Sequence, residues 1–99
     1  MVLLLDKAKL GVDRLIKNSL DYCDLYIIEK GGKVFLLYLF ERSYYYYFKI
    51  MPETIGKWED CDNALYNAFG LFGFVNKNNE ELESKIKEKM EALMKIGFP

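Results

Sequence analysis

The sequence predicts an α+β domain, a three-stranded antiparallel β-meander flanked by helices in the order α-β-β-β-α-α. Three observations carry that prediction. Gly31-Gly32 lies between two β-rich runs and supplies the positive φ values that a two-residue hairpin turn requires. Val34 to Phe40 has no polar break, the pattern of a central strand covered on both faces. Leu82, Ile86, Met90, Leu93 and Met94 recur at helical spacing, the stripe of an amphipathic helix.

In chain order, Leu5, Ala8, Val12, Leu15, Ile16 and Ser19 or Leu20 fall three or four apart, so residues 3–20 read as a first amphipathic helix. Lys7, Lys9, Asp13, Arg14 and Lys17 populate its outer face. Gly11 inside it costs up to about 1 kcal/mol relative to Ala, which a close helix–sheet contact would explain.

The meander follows over residues 24–51. The Gly-Gly turn pairs Lys30 with Lys33, Ile28 with Phe35 and Tyr26 with Leu37. If Arg42-Ser43 is the second loop, Leu39 faces Tyr46, Leu37 faces Phe48 and Phe35 faces Ile50. One face then carries Tyr26, Ile28, Phe35, Leu37, Leu39, Tyr46, Phe48 and Ile50 without a charge, and it is the core face. A one-residue slip would drive Lys49 into it, which argues for the chosen phase.

The opposite face carries Leu25, Ile27, Glu29, Val34, Leu36, Tyr38, Phe40, Tyr45, Tyr47 and Lys49. It is too apolar to stand in water. Tyrosine buries a ring while keeping a hydroxyl for a wet partner. Three coverings are open: one of the chain's own helices, a second copy or protein partner, or stacked nucleic-acid bases.

Pro52 ends the third strand. Trp58, Cys61, Leu65, Ala68 or Phe69 and Phe72 repeat at helical spacing, with Glu59, Asp60 and Asp62 in the first turns, where they complement the helix dipole. Gly70 and Gly73 bend that helix's end, and Phe69 to Val75 is either the helix end or a short buried segment. Asn78 and Glu81 have capping-box spacing. The last helix spans about 79–96, with Glu81–Lys85, Glu83–Lys87 and Glu91–Lys95 as i,i+4 pairs. Gly97 and Phe98 suit a left-handed stop.

Ninety-nine residues make one domain, 1–99, with enough chain for a single core. Hydrophobic content of 52% excludes disorder, and no apolar run reaches membrane-helix length. The apolar start, Met1 to Leu5, precedes its charges rather than following them, against a signal peptide. Cys23 and Cys61 are expected as two buried thiols of a cytoplasmic protein, a disulfide being possible. Residues 1–20 carry a net +2 and residues 52–75 a net −3; no segment has the basic excess of a duplex-binding domain.

The chain has no histidine, which removes Ser–His and Cys–His catalysis, and it has no phosphate-binding glycine loop. Glu59 and Asp62 share a helix face while Asp60 points away, the arrangement of a solvated first turn rather than a cation site. A restriction-type nuclease needs Glu-x-Lys on a strand, yet Glu41 is followed by Arg42-Ser43 and Glu83-Ser84-Lys85 lies on a helix. No enzyme, cofactor or metal is therefore expected. The expected function is a non-enzymatic interaction module that self-associates or docks a protein, through Tyr38, Phe40, Tyr45, Tyr47 and Lys49. The alternative is single-stranded nucleic-acid binding, with the same tyrosines stacking on bases and Lys49 on phosphate.

The tyrosine run Tyr44 to Tyr47, the absence of histidine and the Glu/Lys-laced last helix resemble the small proteins of filamentous and rod-shaped viruses of hot-acid archaea, the Acidianus filamentous virus type among them. The resemblance lies in length and style, not in a motif. It implies an accessory viral protein acting in the host cytoplasm, possessed of high thermal stability, and it transfers no functional residue.

Overall fold

The computed structural model describes residues 5–53, 60–67, 69–77 and 79–96. The expectations resting on Trp58, Glu59, Asn78, Gly97 and Phe98 lie outside them. The chain is α+β, built on a five-stranded antiparallel sheet whose strands lie in sequence order. Its elements are α1 (Lys7–Leu10), β1 (Arg14–Ser19), β2 (Asp24–Lys30), β3 (Lys33–Glu41), β4 (Tyr45–Pro52), α2 (Cys61–Tyr66), β5 (Leu71–Asn76) and α3 (Asn79–Ile96).

The central meander follows the expected phase. Gly31 and Gly32 adopt φ of 58° and 77°, and Lys30 pairs with Lys33, Ile28 with Phe35 and Tyr26 with Leu37. At the second turn the register differs by two residues: Leu39 pairs with Phe48, Leu37 with Ile50 and Glu41 with Tyr46. The turn closes when the Arg42 N–H donates to the Tyr45 carbonyl at 2.9 Å. Because side chains alternate with a period of two, an even shift leaves every residue on its expected face. The face assignment thus survives an incorrect pairing.

Two strands replace helix. The first helix of residues 3–20 is corrected to one turn. Asp6 caps it by accepting from the Ala8 N–H, and Gly11 stops it with φ of 66°. The chain then extends as β1, where Arg14 opposes Glu29 and Lys17 opposes Tyr26. Helical spacing in this stretch loses to the open backbone edge of β2, whose N–H and C=O groups β1 satisfies. The second helix is likewise corrected. It spans only Cys61–Tyr66, is capped by the Asp60 carboxylate on the Asn63 N–H, and gives way to β5.

Gly73 explains why β5 lies flat on the sheet. A Cβ there would stand 2.1 Å from the Phe48 ring, so only glycine leaves room for a fully buried phenylalanine beneath the strand. Gly70 holds φ of 102° at the strand's start, which a side chain would strain.

The result is three layers. On one sheet face Tyr26, Ile28, Phe35, Leu37, Leu39, Phe48 and Ile50 pack against Leu82, Ile86, Met90 and Leu93 of α3, with Leu5, Leu10 and Val12 closing the end. Glu83 departs from its expected pairing with Lys87. It is buried and accepts the Asp6 N–H at 2.6 Å, tying α3 to the N-terminal turn. On the other face Leu25, Leu36, Tyr38, Phe40 and Met51 lie under Ala64 and Cys61 of α2.

The two cysteines form a disulfide, with an S–S distance of 2.05 Å. This corrects the expectation of two thiols. A spacing of 38 residues carries no pairing information, and proximity came only when β2 and α2 stacked. The pairing also removes the redox ground on which a cytoplasmic setting was expected. Among the described residues no helix is long and apolar enough to cross a membrane.

Candidate functional site

The five residues singled out in the sequence do not share one environment. Tyr38 and Lys49 are fully buried and Phe40 nearly so. Tyr38 and Phe40 pack with Cys61 and Ala64 of α2, so their expected availability to a partner is corrected: of the three possible coverings, the chain's own helix takes this part of the face. Tyr45 and Tyr47 remain half-buried at the surface. The reason is lateral position. Tyr38 and Phe40 sit on the middle strand β3, whereas Tyr45 and Tyr47 open β4, and Tyr47 packs only at the margin of the cluster under α2.

The Lys49 ammonium donates to the Asn67 carbonyl and stands 5.1 Å from the Phe72 ring centroid. Its charge is spent internally, on the residue that follows α2 and on an aromatic of β5, and a phosphate in solvent cannot reach it.

What the structure adds is β5. Phe72 faces the Lys49 pair and Phe74 faces Tyr47, so both side chains project from the tyrosine face. They are 51% and 61% exposed, with Phe69 beside them at 57%. Tyr45 stacks on Phe74 with centroids 4.5 Å apart, and Tyr47 stacks on Phe40 at 4.6 Å. The Arg42 guanidinium closes the row. It donates to the Tyr47 hydroxyl at 3.0 Å and lies 5.1 Å from that ring's centroid. The outcome is a strip of aromatic surface over β4 and β5, larger in extent than isolated exposed apolar residues, which need no explanation.

The strip borders a sheet edge at which, among the described residues, β5 pairs with no further strand. β1, at the opposite end, carries Arg14 and Lys17, which meet Glu29 at 3.5 Å and Asp24 at 3.7 Å. Charges of this kind blunt an edge against pairing. β5 has no charged residue from Leu71 to Asn76. Along its outer side runs a groove of about 640 Å³, walled by Phe74, Val75 and Asn76 on the strand and by Glu81, Ser84, Lys85 and Glu88 on α3.

Sequence reasoning missed Phe72 and Phe74 because it placed them on a helix or in a buried segment. The signal was present as alternation: Leu71, Gly73 and Val75 turn inward while Phe72 and Phe74 turn outward. Helical spacing through Cys61, Leu65 and Phe72 masked it.

Other features are less productive. Asp21, Asp60 and Asp62 rim a recess with Tyr22 and Leu25, but Asp60 is already occupied in capping α2. Among the described residues no three His, Cys, Asp or Glu side chains gather as metal ligands would. Lys77, the basic residue after β5, is held by Glu41 at 2.7 Å. No protein-family model, no curated protein and no solved structure matches the chain.

Proposed function

We propose that this chain is a non-enzymatic interaction module that docks a polypeptide along β5 and the aromatic strip of Tyr45, Tyr47, Phe72 and Phe74. The observation that carries the reading is the union of two features in one place. An uncharged edge strand offers backbone hydrogen bonds, as in strand addition, and the adjoining phenylalanines and tyrosines offer the apolar anchors that protein interfaces favour.

Single-stranded nucleic-acid binding is the second reading. Tyr45, Tyr47 and Phe74 present ring faces and Arg42 lies over one of them, as stacking platforms require. Charge weighs against it. Lys49 is buried and Lys77 is paired with Glu41, leaving few groups to neutralise phosphate. An accessory role in an archaeal filamentous virus enters the proposal from compositional resemblance alone. The disulfide is compatible with that origin, because intracellular proteins of hyperthermophiles are disulfide-rich.

Photo-crosslinking tests the reading. Benzoylphenylalanine placed at Phe74 is irradiated with the purified chain alone, with a mixture of unstructured peptides, and with a poly(dT) oligonucleotide. The expected result is adducts with polypeptide, either the chain itself or the added peptides. Adducts with the oligonucleotide only, or yields no higher than from the same group at Tyr22, overturn it.

A further inference from the structure

We infer that the polypeptide docked on β5 is a second copy of this chain, the two β5 strands pairing antiparallel about a two-fold axis at Gly73 so that two five-stranded sheets become one. This rests on the docking surface proposed above and names its occupant.

The phase of the backbone comes first. The Lys77 N–H donates to the Tyr44 carbonyl at 3.4 Å, continuing the β4–β5 register in which Tyr45 opposes Asn76. In an antiparallel ladder hydrogen-bonded and non-hydrogen-bonded pairs alternate. Val75, Gly73 and Leu71 therefore spend their backbone groups on β4, and Phe72, Phe74 and Asn76 present theirs outward. A second β5 laid antiparallel with Gly73 opposite Gly73 sets Phe72 opposite Phe74 of the second copy. Among the described residues nothing takes up the N–H and C=O groups that these residues turn outward.

The side chains agree with that register. On the tyrosine face it gathers four phenylalanines, Phe72 and Phe74 from each copy, all of them more than half exposed in the single chain. On the core face Leu71 meets Val75 of the second copy, apolar against apolar. At the axis two glycines meet, neither able to carry a side chain because the Phe48 ring fills that space. Nothing charged lies within the strand, and the charged side chains along its outer side, Glu81, Lys85 and Glu88 of α3, are of both signs. A two-fold contact must be self-complementary, and this six-residue strand is so on both faces.

The opposite edge explains why association closes at two. Arg14 and Lys17 on β1 are paired with Glu29 and Asp24 of the same chain, so a further strand added there would meet charges carried by the edge strand itself, whereas β5 carries none within the strand. The assembly is a dimer, not a filament.

The experiment is molar mass by light scattering on the intact, oxidised chain over a wide concentration range, with crosslink mapping. The expected mass is twice 11.7 kDa, falling to the single-chain value in the double variant Phe72→Lys, Phe74→Lys. Both side chains are exposed, so that variant keeps the far-ultraviolet circular dichroism and cooperative melting of the parent. The benzoylphenylalanine at position 74 is expected to couple to residues 71–73 of the second copy. A monomer at every concentration, a double variant that stays dimeric, or crosslinks mapping elsewhere overturns the inference. Monomer mass with peptide adducts at position 74 removes the second copy but leaves the docking reading intact. Absence of any polypeptide adduct removes both.

Discussion

Gly73 and Tyr26 show how much single residues decide here. Replacing Gly73 with Ala sets a methyl 2.1 Å from the ring of Phe48, which is fully buried, so the ring or the strand must shift. Overpacking of a full core typically costs about 1–3 kcal/mol, so Gly73→Ala is expected to lower the unfolding free energy measured in urea by that amount, whereas Gly32→Ala in the open hairpin turn acts through its positive φ alone. Equal stability of Gly73→Ala and the parent would show that Phe48 can move. Tyr26 is buried, and its hydroxyl has no hydrogen-bond partner among the described residues. Burial first, then the neighbouring Asp24 carboxylate, pushes its pKa up to about 12, eased by the nearby Leu5 backbone. The unfolded chain releases this proton near pH 10 and the folded chain near pH 12, so Tyr26 contributes a loss of stability as pH rises across that window. Tyr26→Phe is expected to hold or raise stability at pH 7 by up to about 1 kcal/mol and to make the alkaline decline shallower. Paired denaturation curves at pH 7 and 11 decide it, and a clear destabilisation at pH 7 counts against the unpartnered hydroxyl. Neither residue's role was legible in advance, since Gly73 read as the end of a helix and Tyr26 only as one of the core-face side chains.

At the scale of elements, α2 and α3 contribute in different ways. α3 is a conventional amphipathic helix, legible because Leu82, Ile86, Met90 and Leu93 repeat at its own period, and each is buried. Met90→Ala or Ile86→Ala is expected to cost about 2–5 kcal/mol in chemical denaturation; a smaller loss would mean that the helix settles onto the sheet after truncation. α2 has only Cys61–Tyr66, too short to persist alone, and it is held over the sheet by the disulfide to Cys23. Cross-linking residues 38 apart stabilises typically by about 2–4 kcal/mol. Cys23→Ser with Cys61→Ser is expected to lower stability by that amount and to raise hydrogen exchange in α2 far more than in α3. Uniform loss of protection across both helices would contradict the separate roles. β1 and β5 were not legible, because their residues also satisfy a helical period and the deciding factor was the unpaired backbone of β2 and β4.

For the whole molecule, the sheet's two edges are unlike, and that asymmetry carries the functional proposal. β1 is shielded by Arg14–Glu29 and Lys17–Asp24, while β5 ends the sheet in apolar residues beside Tyr45 and Tyr47. The resemblance to proteins of hot-acid archaeal viruses adds a separate expectation, a melting temperature above about 90 °C. Calorimetry on the oxidised chain checks it, and an ordinary mesophilic value would detach the chain from that setting without touching the edge argument. The five residues first singled out share one sheet face but not one environment: Tyr38, Phe40 and Lys49 are buried, while Tyr45 and Tyr47 keep partial exposure.

The sequence by itself determined the central hairpin, the facing of every residue in the meander and the last helix. Each depends on chemistry within a few residues: glycine's positive φ at Gly31-Gly32, the two-residue alternation of strands, the 3.6-residue period of α3. The tertiary structure alone decided that residues 14–19 and 71–76 are strands, that Cys23 meets Cys61, that α2 covers Tyr38 and Phe40, and that Lys49 is buried. Those outcomes depend on distant groups satisfying one another's hydrogen bonds and buried surface, a balance that no local pattern encodes.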